Sequence, residues 1–159
     1  MHTRPALALT LAGAQAALAA ALVEAGSTGG RFNIAVTDSA GDLLAFARMD
    51  GAFAESGPIA IDKCRTVVRF GGAPTAGLYE ALAGEDAVVR GIANRPGIAA
   101  FGGGVPVVVD GQVIGAVGAS GGSAAQDAEV AAAGAAAVVS APAPAPASPD
   151  ADATEEVTP

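Results

Sequence analysis

Lys63 is the only lysine in the chain; it stands beside Asp62, with Arg65 and Arg69 following at helical spacing and Arg48 upstream. A lone amine beside a carboxylate fits acid/base work on a small carbonyl or aromatic metabolite, with Lys63 and Asp62 as the catalytic pair, or it fits an anion clamp. The plainer reading of the same residues is a solvated helix face on which Asp62 neutralises its neighbours. A second group is glycine: Gly102-Gly103-Gly104 and Gly121-Gly122, with Ser120 and Ser123 beside the latter pair. Backbone N–H groups free of side chains suit a carboxylate, phosphate or oxyanion, although glycines equally serve tight turns and close packing. The clusters lack the Lys-Ser/Thr ending of a Walker-type phosphate loop. Cys64 reads either as a thiolate nucleophile or haem ligand or, on an apolar stripe, as a small hydrophobe. Tyr79 with Glu80 reads as a general acid or axial ligand, or as packing. The single histidine is His2, at the start of the chain, so a Ser-His-Asp triad or a His-based zinc site is not expected. One cysteine permits no disulfide within the chain and no Cys-rich metal site.

The elements that must position these residues centre on Phe101–Ser123. Two apolar runs, Val105–Val109 and Gln112–Gly118, flank Asp110-Gly111, a strong signal for a two-residue hairpin. Because hairpin strands are antiparallel, both glycine clusters fall at its open end, which we take as the rim of a ligand pocket. Upstream, Leu11, Ala14, Leu18 and Leu22 recur at helical spacing between Thr10 as N-cap and Gly26 as stop, which favours a mature amphipathic helix over an export signal. Phe32–Thr37 and Asp42–Arg48 form a first hairpin across Asp38–Gly41. Ser56-Gly57-Pro58 opens a helix to about Phe70, with Ala60, Ile61, Cys64, Val67 and Val68 as its apolar stripe. Pro74–Leu82 and Glu85–Ala93 read as short helices, Ile98–Phe101 as a brief strand, and Ser123 with Gln126 as the capping box of a last helix.

The chain has 159 residues, enough for one domain with one core; we divide it into a folded domain, 1–140, and a disordered Pro/Ala/acidic tail, 141–159. Apolar residues make up 52% but aromatics only 4%, so the core is built from thin side chains and is expected to gain burial against sister subunits. The net charge of −8 includes Asp150, Asp152, Glu155 and Glu156; without them twelve acids face eight bases, about −4. Neither value suits nucleic acid or an anionic membrane as partner. No stretch is long and apolar enough to span a membrane, and with no export signal evident a cytoplasmic location is expected.

Four motifs, DLLAFARMDG at Asp42–Gly51, IAIDKCRTVVRF at Ile59–Phe70, FGGGVPVVV at Phe101–Val109 and VIGAVGASGGSAAQD at Val113–Asp127, together resemble the GlcG/HbpS family in order and spacing. The resemblance covers about Ala8 to Val139. It implies an α+β, profilin-like fold, an antiparallel sheet of about five strands flanked by helices in the order α-β-β-α-α-β-β-α. It also implies homo-oligomers, from dimers to octamers. Some members bind haem; a related domain is fused to the corrinoid adenosyltransferase PduO, and others sit in glycolate or secondary-metabolism gene neighbourhoods. The chain departs from the family in lacking an interior histidine, in carrying Cys64 where Ala is common, and in carrying Gly13 where an acidic residue is common. The resemblance thus implies a small-molecule binder, possible ligands including haem or a similar planar anion; we place its pocket between the glycine rim and the helix from Ser56, with Phe46, Arg48, Arg65, Phe101, Gly102, Gly103, Gly104, Ser120, Gly121 and Gly122 as the ligand-binding residues. A cofactor-independent enzyme and a purely structural oligomeric partner stand as alternatives.

Overall fold

Asp110 and Gly111 have φ of 49° and 73°, the pair of positive values that a tight hairpin turn demands. Their turn joins β3 (Gly104–Val109) to β4 (Gln112–Ser120), with Val109 opposite Gln112 and Gly104 opposite Gly118. The computed structural model describes residues 2–140, so the tail expected at 141–159 lies outside the described residues. A second hairpin joins β1 (Asn33–Asp38) to β2 (Leu43–Arg48). β1 and β4 pair antiparallel, giving a four-stranded sheet in the order β2-β1-β4-β3. The brief strand expected at Ile98–Phe101 does not form. The Ala99 N–H donates instead to Thr66 Oγ1 at 2.9 Å, which anchors that segment to a helix rather than to the sheet edge.

One face of the sheet carries α1 (Leu11–Ser27) and α5 (Ala124–Val139), the other α2 (Ser56–Arg69). Thr10 caps α1 by accepting from Gly13 N, and Ser123 and Gln126 form the reciprocal capping box of α5. The buried line of α1 is not the leucine stripe that spacing predicts. Ala14, Ala17, Ala21 and Ala25 are fully buried, Leu18 and Leu22 pack at the margin, and Leu11 is 57% exposed. The cause is the close approach of α5: a Cβ on Gly134 would lie 2.9 Å from the Ala17 carbonyl and 3.1 Å from Ala21 Cβ. Leucine has no room in that seam.

The opposite layer is equally thin. Ala35, Ala60, Cys64, Val67 and Ala116 form a second cluster beneath α2, with Ile61 and Val68 at its edge. A Cβ on Gly118 would run into the Ala60 carbonyl and within 2.8 Å of Cys64 Sγ. The 3₁₀ turn Thr75–Gly77, α3 (Leu78–Leu82) and α4 (Asp86–Ala93) connect α2 to β3; Thr75 Oγ1 accepts from Gly104 N at 2.9 Å and thereby fixes the start of β3. Among the described residues no helix is long and apolar enough to cross a membrane.

Gly118→Ala forces backbone against backbone, so we expect it to cost about 1–3 kcal/mol of unfolding free energy. Gly91→Ala, in α4 with open space around it, should be neutral or stabilising by up to about 1 kcal/mol. Urea unfolding of both variants checks the contrast.

Candidate functional site

The two glycine clusters do meet at one end of the sheet, at the start of β3 and the end of β4. They do not present a row of free amides there. Gly102, Gly103 and Gly104 are buried; Gly104 N donates to Thr75 Oγ1, and Gly122 N donates to Asp127 Oδ1 at 2.9 Å. A Cβ on Gly102 would lie 2.6 Å from the Ala124 carbonyl, and one on Gly121 would strike the Arg31 carbonyl. Ser120 is buried and pairs with Asn33 across the sheet. The chain is packed tightly at these glycines, and at Gly103 and Gly104 it is packed against Lys63.

Lys63 is not on a solvated face and Asp62 is not its partner. The ammonium is fully buried; Nζ donates to Asp127 Oδ2 at 2.6 Å and to the Ala119 carbonyl at 2.8 Å, and it stands 4.8 Å from the centre of the Phe101 ring. Gly103, at φ 122°, curls past it so closely that a Cβ would sit 2.5 Å from Nζ. Asp62 pairs instead with Arg65 at 3.5 Å, both half-exposed. Burial draws the Lys63 pKa below the ordinary lysine value, while the hydrogen bond and charge of Asp127 restore part of the shift. The sequence signal that would have found this pair is periodicity applied to polar residues. Lys63 shares the spacing of Ala60, Cys64 and Val67 on α2, and Asp127 that of Val130, Ala131, Gly134 and Ala135 on α5, and all are buried.

The remaining site residues divide rather than converge. Phe46 on β2 lies 3.3 Å from where a Cβ of Gly57 would stand, at the start of α2, whereas Phe101 covers Lys63, six residues and about 9 Å further along that helix. β2 and β3 are the two edges of the sheet, three strand spacings or about 14 Å apart, so Phe46 and Phe101 do not form one wall. Arg48, two residues beyond Phe46, shares its face; its Nε donates to the Ala52 carbonyl at 3.1 Å. Between them and α2 the side chain of Asn33 is fully buried; its Nδ2 donates to the Phe53 carbonyl, and its Oδ1 has no partner. Arg65 does not join this group, since its stem packs on Gly41 in the β1–β2 turn at the other end of the strands.

Cys64 lies under α2, its thiol directed at the Ala35 carbonyl at 3.3 Å, and burial pushes its pKa up to about 12. That makes it a packed thiol rather than a nucleophile. Tyr79 is 55% exposed on α3. Among the described residues no three His, Cys, Asp or Glu side chains are grouped to hold a metal ion. A 620 Å³ cleft at the β3–β4 turn is bordered by Arg4, Leu7, Ser39, Gly72 and Gln112. A 360 Å³ cleft lies between Arg69, Phe70, Ile92, Arg95, Pro96 and Ile98. Neither touches the glycine rim.

Fold and site together define a small α+β protein with an antiparallel sheet between an alanine-rich helix pair and a single helix that brings a buried lysine to a glycine-lined edge. Residues 9–136 match the family described as haem degrading protein HbpS-like, and the chain belongs to that family. Among curated relatives, Escherichia coli GlcG is 42% identical over 108 residues, covering 67% of this chain and 77% of GlcG. A 15.0 kDa Citrobacter freundii protein encoded between dhaT and dhaS is 39% identical over 99 residues, 58% of this chain, and the match spans 65% of that protein's length. Among solved structures, Klebsiella pneumoniae ORFY superposes with a TM-score of 0.82 at 31% identity, over 89% of this chain and 98% of ORFY. The PduOC–haem complex superposes with a TM-score of 0.71 at 27% identity, over 82% and 95% of the two chains.

Lys63→Met leaves Asp127 charged and unpaired and should cost about 3–5 kcal/mol. Lys63→Met with Asp127→Leu should recover most of that loss in the same urea titration. For Cys64 the folded pKa lies above the unfolded 9.0, so between pH 9 and about 12 the unfolded chain sheds a proton that the folded chain keeps, and stability falls as pH rises. The wild type should therefore lose stability relative to Cys64→Ala across that window, and native protein at pH 8 should not react with Ellman's reagent until it is unfolded.

Proposed function

We propose that the protein is an oligomeric small-ligand binder that takes haem or a similar planar anionic molecule against the outer edge of β2. The observation that carries this reading is the pairing of Phe46, 40% exposed, with Arg48, exposed on the same face of that edge strand and next to the unpartnered Asn33 Oδ1. An aromatic face and a guanidinium two residues apart match a flat ring system that carries a carboxylate. The haem bound by PduOC, a neighbour in fold, supports the choice of ligand. Exposed Val23, Leu43, Phe53 and Val139, outside a core built of thin side chains, support association of copies.

The residues fit the body of such a ligand, but among the described residues no His, Cys or Met side chain stands beside it as an iron ligand. Cys64 is a buried thiol beneath α2, Met49 packs on the opposite face of the sheet with Sδ accepting from Phe32 N, and His2 precedes the stretch whose Leu7 docks on Gln112 at the far hairpin. Recognition would rest on the ring face and the anionic edge.

Native mass spectrometry with haem, read beside the Soret band, tests this reading. We expect an oligomer carrying about one haem per subunit, and metal-free protoporphyrin IX bound within a few-fold of haem. Phe46→Ala with Arg48→Ala should weaken both by at least about tenfold, the scale of a lost charge-assisted contact, whereas Arg65→Ala should leave them unchanged. Undiminished binding in the double variant would remove the β2 edge as the site.

A further inference from the structure

Lys63 Nζ carries three N–H bonds. Two are satisfied, by Asp127 Oδ2 and the Ala119 carbonyl; where the third would need an oxygen, the Phe101 ring lies at 4.8 Å. The ring face leaves the third N–H without a lone-pair acceptor. Phe101 is also the part of this enclosure that solvent reaches. It is 47% exposed, on a bend between α4 and β3, and belongs to neither element. Every other wall is fixed: Asp127 is held by Gly122 N, Ala119 N donates to the Gly103 carbonyl, and Gly104 N donates to Thr75 Oγ1.

We propose that the space under Phe101 is a second binding site, independent of the β2 edge, that takes a neutral aromatic carbonyl compound: its ring replaces Phe101 and its carbonyl oxygen accepts the third N–H of Lys63. Charge selects this class. The Lys63–Asp127 pair is neutral as a whole, so a neutral acceptor adds no net charge to a buried site, whereas a carboxylate would bring a second anion beside Asp127. Size selects it too, since what the pocket releases is a phenyl ring.

The probe is acetophenone labelled with ¹³C at its carbonyl, added to the full chain, with affinity from an NMR titration and the carbonyl stretch from isotope-edited infrared spectra. We expect the stretch to move to lower frequency on binding, as for a hydrogen-bonded carbonyl, and benzoate to bind less tightly than acetophenone. Phe101→Ala, which removes the competing ring, should tighten acetophenone binding roughly two- to fivefold. Lys63→Met with Asp127→Leu should abolish the frequency change. An unshifted stretch, an equal shift in that double variant, or tighter binding of benzoate would overturn the proposal. Should the double variant not fold, Phe101→Ala decides: unchanged or weaker affinity overturns it.

Discussion

An ammonium ion with no water around it needs protein partners for its N–H bonds, and at Lys63 that requirement organises one whole end of the molecule. Its partners come from α5 and from the last turn of β4, and the loop entering β3 must bend at Gly103 to pass it. Two helices on opposite faces of the sheet are thereby tied together around its edge by a contact of 2.6 Å. Taken alone, such a pair is a poor source of stability, because desolvating two charges offsets most of their attraction. Its effect is on geometry: the carboxylate orders the Gly122 turn, and the ammonium fixes the approach of the glycine loop and the Phe101 ring.

The rest of the architecture follows from thinness. Alanine and glycine at Ala17, Ala21, Gly134 and Gly118 bring helix against helix and helix against sheet until backbone touches side chain. Burying alanine removes little apolar surface, so each such contact contributes less than a leucine would. Close packing recovers part of this through dispersion, and it leaves little interior space for a ligand. The larger side chains Phe46 and Phe101 stand instead toward the edges of the sheet, partly in solvent.

Those two edges are chemically unlike. At β2 an exposed aromatic ring and a guanidinium tethered to the Ala52 carbonyl lie over a buried, unpartnered amide oxygen. Before β3 an aromatic ring closes over a charge-neutral pair from which water is excluded. Membership of the HbpS-like family describes the scaffold more closely than it describes a ligand.

What the sequence by itself determined was local. The Asp110-Gly111 turn, the Ser123–Gln126 box, the Thr10 cap and the four strands are legible because each rests on neighbours a few residues apart, and the motif set was enough to place the chain in its family. The limits lay where distant segments meet. That α1 buries alanines rather than leucines depends on how near α5 comes, and that Ile98–Phe101 forms no strand depends on Thr66 reaching Ala99 first. Lys63 and Asp127 each sit at a core position readable from helical spacing, but they are 64 residues apart, and only the folding of α2 and α5 around the β3–β4 edge brings them together. Tertiary structure likewise separated Phe46 from Phe101 and gave the Gly104 and Gly122 amides protein partners, because strand order and close approach are properties of the assembled sheet and not of any one segment.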